Sequence, residues 1–145
     1  MNRLLALALA VLCAVWGLQA AQSLPPQPRL TAQIITADLP DEITVELGIE
    51  NNPGFAAMVI GMEVPGGELQ AADARRTGIA SRASVLTGPT VTLFQLGAIK
   101  GDGALCRITV DPGEAKEITF VCRQCVTMDE TQIDVQPTAV VLNGN

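Results

Sequence analysis

Residues 43–50 alternate without a break: Ile43, Val45, Leu47 and Ile49 are apolar, and Thr44, Glu46, Gly48 and Glu50 lie between them. Successive side chains of a strand point to opposite faces, so this run buries one side and wets the other only as extended chain. A second apolar run, residues 55–64, follows Asn51-Asn52-Pro53-Gly54 and ends at Pro65-Gly66-Gly67. Both breaks carry turn chemistry, because Asn and Gly tolerate positive φ and Pro presets it negative. Residues 30–36, 90–96, 104–110, 117–121, 133–135 and 139–142 read as further strands, with turns at 100–103 and a hairpin-like connection at 111–114. Residues 68–89 are not decided by pattern, and the stretch holding Arg75, Arg76 and Arg82 reads as loop. Short strands at roughly 8–12-residue spacing, with no sustained helical period beyond the N-terminus, predict an all-β sandwich or barrel.

The N-terminus belongs to a different physical regime. Arg3 precedes an unbroken apolar stretch, residues 4–16, and small residues follow at Ala20 and Ala21. A charged start, a short apolar stretch and a small-residue end form the layout of a secretory signal. We place the cut after Ala20, which makes residues 1–20 the signal. A Pro-rich linker at 21–29 and one domain at 30–145 follow. The apolar stretch is shorter than the ~20 residues a membrane span needs, so no span is expected after cleavage.

Charge and composition exclude several functions. The 145 residues hold nine Lys and Arg against fifteen Asp and Glu, which argues against a nucleic-acid partner. There is no His, which removes the commonest general base and transition-metal ligand. Glu46 with Glu50, and Glu114 with Glu117, are close in sequence, yet a catalytic carboxylate pair needs a defined separation across a cleft. No nucleophile-elbow or phosphate-loop motif is present, so the chain reads as non-catalytic, with no metal site. Beyond the signal the aromatics are Phe55, Phe94 and Phe120, at least one of them expected in the core. That is too few for a platform stacking several sugar rings.

Cys106, Cys122 and Cys125 remain after signal removal. In an oxidising compartment three cysteines suggest one disulfide and one leftover thiol. In a straight strand Cys122 and Cys125, three apart, face opposite ways and pair only if Arg123 and Gln124 form a turn. Alternatively Cys106 pairs with Cys122 or Cys125.

Two blocks carry a family resemblance. The stretch ITVELGIENNPGFAAMVIGMEV, residues 43–64, and the stretch GDGALCRITV, residues 101–110, resemble the cohesin modules in content and order. The first matches an alternating strand running through an Asn-x-Pro-Gly turn into a second apolar strand. The second matches a Gly turn, a Leu, a polar pair and Ile-Thr-apolar. The chain departs at Val64-Pro65-Gly66-Gly67, where cohesins usually carry an aromatic-Asp-Pro segment, and residues 65–100 are short for the family.

The resemblance implies a flattened jelly-roll β-sandwich of about nine short strands and a non-catalytic receptor without a cofactor of its own. Its partners would be dockerin modules on secreted polysaccharide-degrading enzymes, with calcium carried by the dockerin. It places the protein outside the cell, at a bacterial surface. It also implies that Ile60, Met62 and Val64 face the core, leaving Val59, Gly61 and Glu63 outward on the sheet that meets the dockerin. By alternation Thr90 and Thr92 join that face, while Phe94 depends on register. The alternatives are a carbohydrate-binding module of the same superfamily, whose partner is polysaccharide, and a structural or adhesive surface subunit.

Overall fold

The alternating run becomes β2 (Glu42–Glu50), and Val45, Leu47 and Ile49 are almost completely buried along it. A computed structural model describes residues 26–38 and 41–142. The expected signal and most of the expected linker lie outside the described residues. The remaining strands are β1 (Arg29–Asp38), β3 (Phe55–Val64), β4 (Gly67–Leu69), β5 (Ala71–Arg76), β6 (Ser84–Leu86), β7 (Thr90–Ile99), β8 (Gly103–Val110), β9 (Glu117–Val126) and β10 (Thr138–Val141). The only helical element among the described residues is a 3₁₀ turn at Gly78–Ala80.

The strands form two sheets with antiparallel pairing. One has four strands in the order β1-β2-β8-β5; the other runs β10-β9-β3-β7-β6, with β4 added beside β3. The expected all-β sandwich is therefore the observed fold, with ten strands among the described residues. Its core lies between the sheets. Leu47, Ile49, Ile108 and Val110 come from one sheet, and Met58, Ile60, Met62, Leu93, Ile118 and Phe120 from the other. No polar or charged residue is buried among the described residues, so the layer between the sheets is held by apolar burial, roughly 1.5–3 kcal/mol per large side chain.

The turn chemistry read correctly as breaks, but not always as hairpins. Residues 111–114 do not close a hairpin: β8 pairs with β2 and β5, whereas β9 pairs with β3 and β10, so this connection crosses from one sheet to the other. Turn residues report that the chain bends; which sheet the next strand joins is set by the core it completes. Arg75 and Arg76, read as loop, lie on β5, an edge strand paired with β8. Its small and charged residues suit an edge, where one rim is wet. Residues 133–135 form no strand. Their segment edges β9 and β1 through isolated bridges at Gln132 and Gln136.

The two sequence blocks meet at one end of the sandwich. Asn51 adopts a left-handed φ of 57°, and Gly54 donates its N–H to Asn52 Oδ1 at 2.9 Å. Asp102, in the β7–β8 turn, accepts from the N–H groups of Asn52 at 2.9 Å and Asn51 at 3.1 Å. Asn52 Nδ2 returns the link, donating to Gly101 O at 2.9 Å and Ile99 O at 3.1 Å. The backbone donors of Asn52 and then Asn51 hold the Asp102 carboxyl below its ordinary value of 3.8. A depressed folded-state pKa contributes stability above the ordinary value that is lost as pH falls through the folded one. In urea unfolding, the wild type is therefore expected to be more stable than Asp102→Asn at neutral pH, with the gap closing below pH 3.8. A gap constant through that acid range would show that the two turns do not depend on the carboxylate.

Candidate functional site

The two outer faces of the sandwich differ in chemistry. On the four-stranded sheet, Glu46 receives Arg107 Nε at 3.1 Å, Arg29 pairs with Glu50 at 2.5 Å, and Thr44 and Thr109 hydroxyls meet at 3.0 Å. Glu46 and Glu50, close in sequence, are thus each engaged by an arginine. A face of paired charges and hydroxyls keeps its partners already satisfied.

The outer face of the six-stranded sheet is built otherwise. Because Met58, Ile60 and Met62 point into the core, Ala57, Val59, Gly61 and Glu63 point out. Register sets their neighbours: Val59 lies between Thr92 of β7 and Gln124 of β9, and Ala57 between Phe94 and Val126. Gly61 lies between Thr90 and Val121. The structure thus brings Val59, Gly61, Glu63, Thr90 and Thr92 onto one face.

Phe94, which alternation left open, is on this face at 40% exposure, and Leu86 of β6 extends it at 60%. Beyond Phe94 the pairing of β7 with β3 jumps, from Ala57↔Phe94 to Phe55↔Ile99. Residues 95–98 bulge out as a result, with Gly97 at a φ of 108°, and Leu96 is left 97% exposed. Arg82, Ser84, Phe94, Gln95 and Leu96 line a shallow depression beside it. Neighbouring exposed apolar side chains are what a docking surface needs, since scattered single ones are ordinary.

Gly61 is outward yet buried, because the Arg123 side chain lies over it. A Cβ added at Gly61 would fall 2.1 Å from Arg123 Nε. Arg123 hydrogen-bonds Glu68 and lies 3.7 Å from Glu63, and these carboxylates, Glu68 first, raise the guanidinium pKa. The result is an apolar centre edged by an Arg-Glu-Glu cluster. Such exposed pairs add little stability, but they hold donors and acceptors in place at a rim.

Arg123 owes its position to a β-bulge. Ile60 pairs with Cys122 but Val59 pairs with Gln124, so Arg123 is an extra residue in β9. The extra residue resets the alternation: Arg123 and Gln124 are both exposed, while Cys122 and Cys125 both turn inward, half-buried and buried. Bringing these cysteines to one side thus requires no turn, contrary to the straight-strand expectation; β9 runs unbroken to Val126. All three cysteines are free thiols here. Cys106 is on β8 in the other sheet, where burial alone pushes its thiol up to about 12.

Sequence reasoning missed Arg123, Leu86 and Leu96 as members of this face. Bulges leave no mark on residue type, and residues 68–89 lack the alternation that would have placed β5 and β6. Among the described residues no cluster of three His, Cys, Asp or Glu could hold a metal ion.

The fold has solved counterparts. An archaeal non-cellulosomal cohesin from Archaeoglobus fulgidus superposes with a TM-score of 0.58 at 14% identity, over 82% of this chain and 93% of that one. The chain has the cohesin fold. A type I cohesin from Clostridium thermocellum, solved in complex with a dockerin, gives a TM-score of 0.55 at 13% identity, over 81% of this chain and 99% of that one. The sixth cohesin of scaffoldin B from Acetivibrio cellulolyticus, also bound to a dockerin, gives 0.54 at 12% identity, over 81% and 100%. No family profile matches this sequence, and neither does the sequence of any curated protein. The likeness is therefore one of cohesin architecture, spanning almost the whole of each of these modules.

Proposed function

We propose that this protein is a secreted, non-catalytic cohesin-like receptor that docks dockerin-bearing enzymes of polysaccharide-degrading assemblies. The docking surface is the outer face of the six-stranded sheet, centred on Val59 and including Gly61, Glu63, Thr90 and Thr92. One observation carries the reading: on a cohesin fold, this face sets Val59 and Leu86 on either side of Thr92, with Phe94 two residues along β7, and edges them with charge, whereas the opposite face carries its own ion pairs. An apolar centre with a polar rim is the anatomy of a specific protein interface. Calcium would arrive with the dockerin, and residues 1–20 would serve as the export signal. No helix among the described residues is long and apolar enough to cross a membrane.

The carbohydrate-binding alternative is weakened by the same structure. Phe55 and Phe120 are 1% and 0% exposed, which leaves Phe94 as the single aromatic on any outer face of the described residues.

The test presents the immobilised secreted chain to dockerin modules from hydrolases of the same genome, with calcium and with chelator. Saturable binding that chelation abolishes is expected. Retention on insoluble polysaccharide with no dockerin bound would overturn the reading in favour of the carbohydrate-binding module. Self-association alone would point to a structural subunit.

A further inference from the structure

Cys122 and Cys125 flank the one extra residue of β9, and the docking reading makes no use of them. Their register partners on β3 are Ile60 and Met58, two residues apart. Two residues of strand span about 6.7 Å, at the upper end of the Cα separation that a disulfide bridges. Both side chains lie on the core side, Cys125 within the core and Cys122 packed against it, and Cys122 Sγ donates to Gln124 O across the bulge at 3.5 Å. Cys106 has no comparable partner: it is fully buried in the facing sheet, paired across β8 with Leu47 and Arg76.

We propose that Cys122 and Cys125 form the protein's disulfide site, closed by exchange with a small external disulfide such as oxidised glutathione, and that the bond pins the bulge holding Arg123 over Gly61. Cys122 is the entry point because it is half-exposed, whereas Cys125 is 1% exposed. The neighbouring Cys125 holds the Cys122 thiol below its ordinary value, while Cys122 and burial hold the Cys125 thiol above it, so the thiolate forms on Cys122. The Cys122 thiolate attacks one sulfur of glutathione disulfide, forming a mixed disulfide and releasing one glutathione thiolate. Cys125 then gives its proton to water and attacks Cys122 Sγ, expelling the second glutathione. Two cysteine thiols are oxidised, and one glutathione disulfide is reduced to two glutathiones. Cys106 keeps its proton and stays outside the exchange.

The sequence supplies a clean assay. Trypsin cuts after Lys100, Arg107, Lys116 and Arg123, which puts Cys106, Cys122 and Cys125 on three separate peptides, 101–107, 117–123 and 124–145. The full secreted chain is incubated with oxidised glutathione, alkylated, digested and mapped by mass spectrometry without reductant. Peptide 117–123 linked to 124–145, with 101–107 alkylated, is the expected result. A link that includes 101–107, or three alkylated peptides after oxidation, would overturn the proposal. Reduction should lower the thermal midpoint of the wild type by roughly 5 °C, from the entropy of a short closed loop in the unfolded chain. Cys122→Ser should show no such response. A linked protein whose midpoint ignores reductant would refute the pinning of the bulge. None of these readouts requires a dockerin, so this site and the docking face stand or fall separately.

Discussion

Val59→Asp is expected to weaken dockerin binding about 100-fold, on the order of 3 kcal/mol, while leaving the fold intact. Val59 is at the middle of the exposed face, with Thr92 on one side, Gln124 on the other and Ala57 and Gly61 along its own strand. Truncations hurt most at the centre of an interface, where water is excluded. A carboxylate there would be desolvated without a designed partner. Arg123 does not rescue it readily, since it is already engaged by Glu68 and Glu63. The side chain is half-buried and outward, so an aspartate at this position can still reach water in the free protein, and the circular dichroism spectrum should not change. Arg75→Ala, on the outer side of the other sheet, serves as the control and should alter affinity less than twofold. Titration calorimetry of both variants against a bound dockerin decides the matter. Wild-type affinity for Val59→Asp would move the docking surface elsewhere on the molecule.

Phe120→Ala should cost about 3–5 kcal/mol of folding stability, the range for removing a fully buried aromatic. Phe120 is 0% exposed and lies on β9, opposite Met62 of β3 and Thr138 of β10. It therefore packs where three strands of the larger sheet face the smaller one. Total stabilities are usually about 5–15 kcal/mol, so the loss removes a large fraction. Phe94→Ala removes the same atoms from a residue 40% exposed on the outer face, and should cost well under half as much. Urea unfolding of the two variants gives the comparison directly. Equal losses would mean that Phe94, rather than lying open on a free surface, is held by contacts as extensive as those of the core.

The strands that read most clearly were those with one wet face and one dry face. β2 and β3 were located from alternation, and Asn51-Asn52-Pro53-Gly54 between them from turn chemistry, because both signals are local. β5 and β6 were not, for a local reason too. Ala71, Ala74 and Ser84 carry too little hydrophobic contrast for a period to register, and their places come from pairing with β8 and β7. The connection at 111–114 failed differently. Its residues specify a bend, while the sheet that β9 joins depends on Ile118 and Phe120 completing a core with side chains distant in sequence.

The amino-acid pattern by itself determined that this chain is all-β, a sandwich or a barrel, that β2 buries Ile43, Val45, Leu47 and Ile49, and that Val59, Gly61 and Glu63 share a face, since period-2 alternation is a property of neighbours along the chain; the sandwich and the outward side of β3 came from the cohesin resemblance. Only the tertiary structure decided that Phe94 and Leu86 belong with them, that Arg123 covers Gly61, and that Cys122 and Cys125 turn to the same side. Each of these depends on register or on a bulge between strands. Register is chosen by the fit of whole strands across the core, a sum over distant residues to which no single position bears witness.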